Sequence, residues 1–288
     1  MNTSIILLNC LTNMHVGAEN VNYSVIDNQV ERDSILQTPI IFSSGVKGAL
    51  RYHFENNMNN KVEDVQKIFG YTEEKGEVRS YPGCYKFMDA QMIARPMRVS
   101  KGELSYVKTT SVDLLNYLRR LLINLDITMI NNKSVPKEDF RMITKDKVLF
   151  VGQSQCEQIE GIEVEKYNVD LEEQKQWVEF LEIFLGEQYA IMNTEDFLLQ
   201  DLPVVSRNKL DEKGQSENLW YEEIVPHESV FYFIAISYDN VEEKVEKTFK
   251  KIHGEIIQFG GNASIGQGYT KANLIYPPET VSNGGSNE

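Results

Sequence analysis

Apolar and polar positions change their spacing several times along this chain, and each change marks an element. Residues 3–12 contain the run Ile5, Ile6, Leu7 and Leu8 and predict a buried strand. A polar stretch from Thr12 to about Gln37 follows, punctuated by Asn13, Gly17, Asn20, Asn22 and Asn28. It predicts a long loop, and a loop of this length inside a compact domain is either functional or disordered. Val46, Ala49, Leu50 and Phe54 then recur at helical spacing behind Ser43 and Ser44, which offer an N-cap, so residues 44–57 read as a helix. A short helix at 61–69, a turn-rich stretch at 70–83 and a strand near 84–94 come next. Leu114, Leu115, Leu118, Leu121 and Leu122 mark a second amphipathic helix. Residues 171–189 mark a third, with Val178, Leu181, Phe184 and Leu185 inward and the acids outward.

The C-terminal part has the sharpest pattern. Residues 229–237 read as a strand, and Val241, Val245, Phe249 and Ile252 as a helix ended by Gly254. A short strand at 255–259, a glycine loop and a strand at 269–275 complete it, with a frayed tail over 277–288. This order predicts an α+β, ferredoxin-like sheet with helices on one face and large insertions. No repeat or linker divides residues 1–276.

Composition narrows the class. The chain has 288 residues, 41% hydrophobic and 25% charged, which excludes an intrinsically disordered protein. No apolar run approaches the roughly 18 residues of a membrane helix, so no membrane partner is expected. The start, MNTSIILLNC, lacks the cationic region and the apolar length of a secretion signal. Cys10, Cys84 and Cys156 form neither a disulfide framework nor a zinc spacing, and a reducing cytoplasm is the expected compartment. The net charge of −14 argues against nucleic acid only superficially. Residues 157–200 hold twelve acids and two bases, −10 in all, which leaves −4 for the rest. An acidic block can face away from a nucleic-acid groove.

Four segments could carry chemistry. In SSGVKGALR (43–51), Ser44, Lys47, Gly48 and Arg51 share one side of the helix, opposite Val46 and Leu50. Free amides at a helix start beside two cations form an anion site; a solvated face is the alternative, and the Walker spacing is absent. In GGNASIGQGY (260–269), Gly260, Gly261, Gly266 and Gly268 permit positive φ, so the loop is either a phosphate nest or a tight connection between strands. The loop with His15, Asp27, Glu31, Arg32 and Asp33 offers carboxylates that could position a metal or a nucleophile, or sit as solvated turn residues. Residues 203–223 suggest two arms around Asp211–Gly214, with Arg207 and Lys209 on the arms and Trp220 and Tyr221 at the base. Such a hairpin can wedge between bases or simply decorate the surface. His15, His53, His227 and His253 have no metal spacing, and no GxSxG, HExxH or CxxC is present.

Taken in order, MHVG (14–17), VIDNQVERD (25–33), SSGVKGALR (43–51), FMDAQMIARPMR (87–98), NLWYEE (218–223) and GGNASIGQGY (260–269) resemble the RAMP superfamily of CRISPR proteins. More narrowly, they resemble the repeated backbone subunit of type III-B, or Cmr, effector complexes. The resemblance implies a ferredoxin-like, RRM-like RAMP core over 1–276 with a thumb β-hairpin at about 195–218. It implies copies of the chain stacked in a filament on a guide crRNA, in company with other Cmr subunits. It implies cleavage of target RNA at regular intervals with a divalent metal, magnesium or manganese. By motif position Asp27 carries the cut and is the metal residue, with His15, Glu222 and Glu223 near the same centre. Ser44, Lys47 and Arg51 fall on the guide-contacting helix start, and Arg98, Arg207, Lys209, Gly261, Gly266 and Gly268 on further RNA-contacting segments. The sequence departs from the family at Val30, where relatives often carry proline, and at FSSGVKG in place of PGSSLKG. A non-catalytic guide scaffold and a guide-processing endonuclease of the same superfamily remain open alternatives.

Overall fold

Ile5, Ile6 and Leu8 lose all contact with solvent because their strand, Asn2–Cys10, has neighbours on both edges. In the computed structural model, which describes residues 2–17, 26–73, 78–167, 172–237 and 241–276, this strand lies between Val230–Ser237 and Tyr269–Tyr276, antiparallel to both. The long strand Ala90–Gly102 pairs antiparallel with the far edge of Val230–Ser237, and Ile256–Gln258 extends the other edge. The tail beyond residue 276 lies outside the described residues.

One face of this sheet is an aromatic layer. Phe233 packs on Phe87, Phe87 stacks on Phe69, and Phe54 meets Phe69 and Phe249 at 5.5 and 6.4 Å between ring centroids. Phe54, Phe69 and Phe249 come from the helices Ser43–Asn56, Val62–Phe69 and Glu243–Lys250, so the periodicities that predicted these three helices also predict their common buried side. Strand residues alternate between faces. Tyr232 and Ile234 therefore point away from that layer, and there they meet Tyr117 and Leu121 of the helix Val112–Asn124. Helices thus cover both faces, not one as the sequence order suggested.

The insertion between Ala90–Gly102 and Val230–Ser237 forms a second system. Ala90–Gly102 pairs with Tyr106–Ser111, then in turn come Tyr189–Met192, Lys147–Val151, Ile162–Lys166 and Cys156–Ile159. The last returns to pair with Val99–Gly102 of the starting strand. These six strands close a ring that shares one strand with the first sheet. The pattern did not reveal it, because its other five strands run only four to six residues and Ile162–Lys166 alternates with glutamates. Residues 70–83, read as turn-rich, contain a small ladder, Gly70–Glu73 with Arg79–Pro82. No described helix is long and apolar enough to cross a membrane.

The first long helix departs from its expected cap. Neither Ser43 nor Ser44 caps it. Ser43 is already helical, and its N–H donates to Asp89 Oδ1 at 2.6 Å. A carboxylate from a neighbouring strand end so fills part of the anion-attracting helix start.

Two substitutions separate packing from exposure on this helix. Phe54→Ala, at a fully buried ring, should lower stability by about 3–5 kcal/mol in urea unfolding. At Gly48 an added Cβ meets nothing within 4 Å. Gly48→Ala should therefore raise stability by about 0.5–1 kcal/mol; a loss there would contradict the open surface.

Candidate active site at the base of the hairpin

Residues 203–223 do form a two-armed element. Val204–Leu210 pairs with Ser216–Glu223 in a hairpin separate from the large sheet, and the turn is held by Asp211, which accepts from Lys213 N–H and Gln215 N–H. Residues 208–219 are exposed along both arms. The hairpin reaches Glu223, beyond the expected limit of 218, and begins at Val204, because Thr194–Leu199 is a helix. Below it, the buried Arg95 donates to the carbonyls of Phe197 and Gln200 and lies 4.8 Å over the Phe197 ring. Burial pushes the Arg95 guanidinium down to about 10. This anchor was not legible in the sequence, where Arg95 sits in an unremarkable strand.

At the hairpin's base the polypeptide buries two consecutive carboxylates. Successive strand residues face opposite ways, so Glu222 and Glu223 enter different surroundings. Glu222 Oε2 accepts from Arg207 Nε at 2.9 Å, and its Oε1 accepts from Asn262 Nδ2 at 2.8 Å with His15 Nε2 at 3.7 Å. Glu223 Oε1 accepts from an Arg32 guanidinium nitrogen at 2.6 Å and its Oε2 from the Val30 N–H at 3.0 Å. The two side chains are 5% and 8% exposed, so each needs its arginine. His15 sits between them: its Nδ1 lies 2.7 Å from the Glu223 carbonyl, which can only accept, so Nδ1 is the donor nitrogen. Gly17 makes room for that ring, since a Cβ there would lie 2.8 Å from Nε2.

The Asp27 segment is laid alongside. The N–H groups of Asp27 and Asn28 both donate to the Tyr221 carbonyl, and the Glu223 N–H donates to the Asn28 carbonyl at 2.8 Å. Asp27 Oδ2 accepts from the Tyr221 N–H at 2.7 Å. One carboxylate oxygen is thus tied to the hairpin, while the residue remains exposed. Residues 18–25 of the long loop lie outside the described residues. The described remainder is tied down by pairings of Met14 with Val225, Gly17 with Val30 and Arg32 with Pro39.

The glycine loop closes the other side. Gly260 and Gly268 hold φ of +78° and +81°, and a Cβ would strike the His15 carbonyl oxygen at 2.2 Å and the Phe259 carbonyl oxygen at 1.9 Å respectively. The Gly261 N–H donates to the His15 carbonyl and the Gly268 N–H to the Asn13 carbonyl, both at 2.9 Å, and the Gly266 N–H to Ala263. These three amides are engaged with the protein and do not form an open nest. Gly261 does not take positive φ; Asn262 does, at +61°, which turns its side chain onto Glu222 and Gln267. The motif's chemistry lies in this asparagine, which glycine counting overlooks.

The structure brings His15, Asp27, Glu222, Glu223, Arg207 and the glycine loop together. Lys209 lies further out on the hairpin, paired with Glu217 at 2.7 Å. Ser44 and Lys47 are exposed on the first long helix, where Arg51 pairs with Glu55 at 2.8 Å. Arg98 is exposed on the strand shared with the ring. No group of three His, Cys, Asp or Glu side chains among the described residues could cage a metal. Of the three carboxylates described at this centre, Glu222 and Glu223 are buried and Asp27 is exposed, which suits a hydrated ion that keeps its waters and takes its other ligands from a phosphate-bearing substrate.

The chain belongs to the RAMP superfamily, whose model matches residues 7–271. It is 27% identical over 306 aligned residues to the CRISPR system Cmr endoribonuclease Cmr4 of Pyrococcus furiosus, covering 99% of each chain. It is 24% identical to the CRISPR system CMR subunit Cmr4 of Saccharolobus solfataricus, over 91% of this chain and 92% of that one. Among solved structures it is similar to a chain of a type III-B Cmr-beta assembly bound to cognate target RNA, with a TM-score of 0.74 at 19% identity, covering 96% of this chain and 98% of that one. The crystal structure of oligomeric Cmr4 from Pyrococcus furiosus gives a TM-score of 0.68 at 21% identity, with the same coverage.

Removing Arg207 strands the buried Glu222 carboxylate with weaker partners. Arg207→Ala should cost about 2–3 kcal/mol in thermal or urea unfolding, and adding Glu222→Gln should recover most of it. Additive losses in the double variant would show that the pair is not coupled.

Proposed function

We propose that this chain is a guide-RNA-binding backbone subunit of a type III-B CRISPR effector, and that it cleaves target RNA with Asp27. Copies of the chain would stack along the guide crRNA in the cytoplasm beside other Cmr subunits. The observation that carries the reading is the exposed Asp27 carboxylate, fastened through Tyr221 to the root of a projecting hairpin. The near full-length likeness to a relative named a Cmr endoribonuclease supports the activity. The order of the central strands, Ala90–Gly102, Val230–Ser237, Asn2–Cys10, Tyr269–Tyr276, all antiparallel, agrees with a ferredoxin-like core.

The chemistry needs little from the protein beyond geometry. RNA brings its own nucleophile, the 2′-hydroxyl. A nucleotide levered out of a duplex by the hairpin can turn that hydroxyl in line with the adjacent phosphate. Asp27 could take the hydroxyl proton, and its exposed oxygen could hold a hydrated magnesium or manganese ion; such an ion would supply charge stabilisation at the phosphate. Glu223 is better read as a positioning residue than as a catalyst, because both its oxygens are occupied by Arg32 and Val30. His15 and Glu222 likewise hold the hairpin, the glycine loop and the first loop together. Ser44, Lys47 and Arg51, with Arg98, Arg207 and Lys209, are the side chains proposed to meet RNA. Sequence selection would rest with base pairing. A non-catalytic scaffold is the second reading, favoured by the lack of a three-ligand metal set among the described residues.

In the assembled complex with magnesium, Asp27→Ala should abolish regularly spaced target products and leave assembly intact. Spaced products that persist would move the catalyst elsewhere, and inert native complexes would favour the scaffold. Lys47→Ala with Arg51→Ala should weaken guide binding and shallow its salt dependence by about one to two charges. An unchanged salt slope would remove the phosphate contact.

A further inference from the structure

A cavity of about 320 Å³ lies on the sheet face opposite the aromatic layer, outside the cleavage centre. Its floor is Gln91 and Tyr232, directly paired across neighbouring strands. Both are more than nine-tenths buried, yet Gln91 Oε1 and the Tyr232 hydroxyl have no hydrogen-bond partner among the described residues. Unpaired buried polar atoms are costly, so two in one cavity call for water or a polar ligand there. The Gln91 amide cannot relieve this by turning over. Its Nε2 donates to Asp33 Oδ2 at 3.3 Å, and the flipped form would set an oxygen against that carboxylate. Its free group is therefore an acceptor aimed into the cavity.

The surroundings fix the sign of charge. Asp89 lines the wall, and among the described residues its one hydrogen bond is to Oδ1, from the Ser43 N–H at 2.6 Å. No lysine or arginine lines the cavity or pairs with Asp33 or Asp89 among the described residues. The Tyr117 hydroxyl is pushed up first by burial and then by Asp33 and Asp89, so both carboxylates act on this space. The remaining walls are the ring of Tyr117 and the apolar side chains of Leu121, Met88 and Ile234. Acceptors at the bottom, an aromatic side and an aliphatic lining match a flat cation on a hydrocarbon stem. We infer that this cavity binds a guanidinium group, as carried by an arginine side chain. Two sources share that chemistry, an arginine of a second copy of the chain and a free small guanidinium compound.

The test uses the full chain and Nα-acetyl-arginine amide, whose only cation is the guanidinium. Saturable shifts of the Gln91 side-chain amide and the Tyr232 ring are expected in NMR titration, and Asp89→Asn, which can still cap the helix, should weaken binding about tenfold. Tyr232→Phe removes one unpaired hydroxyl and should leave the melting temperature near its native value while further reducing affinity. No saturable shift, equal binding by Asp89→Asn, or a response to cytidine in place of the probe would overturn the assignment, the last in favour of a nucleobase amino edge. Repeating the titration on guide-assembled oligomers separates the sources. Probe binding lost on assembly identifies an arginine of the adjacent copy, and binding retained identifies a free compound.

Discussion

Two adjacent buried carboxylates govern the architecture of the site. A strand cannot turn both toward the same solution, so Glu222 and Glu223 demand positive or donating partners on opposite sides. The chain answers with Arg207 and Asn262 for one, and Arg32 and the Val30 amide for the other. His15 touches both residues, one through its carboxylate and the other through its carbonyl. Because those partners come from the first loop, the hairpin and the glycine loop, meeting the needs of two acids assembles three remote segments. The lack of a side chain at Gly17 and Gly260 fits it, since each leaves space that His15 occupies.

Much of the first sheet was legible because its elements are long or sharply periodic. Phe54 and Val46 on one helix, and Val245 and Phe249 on another, announce buried stripes that the aromatic layer fulfils. The closed ring was not legible. Residues 162–166 alternate Ile162 and Val164 with Glu163 and Glu165, and within an acidic block this reads as surface, not as a strand. The same alternation explains how a segment of strongly negative charge can still build a core, with apolar positions inward and acids in water.

At the site, His15, Asp27 and Arg207 stood out within their own segments, but Glu222 and Glu223 were reachable only through the ordered set of motifs. Arg32 was visible as a charge but not as a partner, since 191 residues separate it from Glu223. Asn262 lay hidden among glycines, and its role depends on a left-handed backbone that spacing does not encode. The amides of Gly261 and Gly268, counted as candidates for phosphate, are bound to carbonyls of the first loop. Pairings between remote backbone groups leave no local pattern, so a nest and a strand connection look alike in sequence.

Burial then divides the acids by task. Glu222 and Glu223 are enclosed and fully partnered, which makes them poor candidates to exchange protons with a substrate but good fixtures for neighbouring backbone. Asp27 is exposed and has one oxygen pinned, so it keeps both a defined position and access to solvent. A centre with one accessible carboxylate and no metal cage among its described residues leaves the remaining geometry to the substrate. In the proposed reading that is what a displaced nucleotide supplies: its hydroxyl, its phosphate oxygens and their alignment. The protein's contribution is a rigid hairpin root, and the buried pair of glutamates is what makes it rigid.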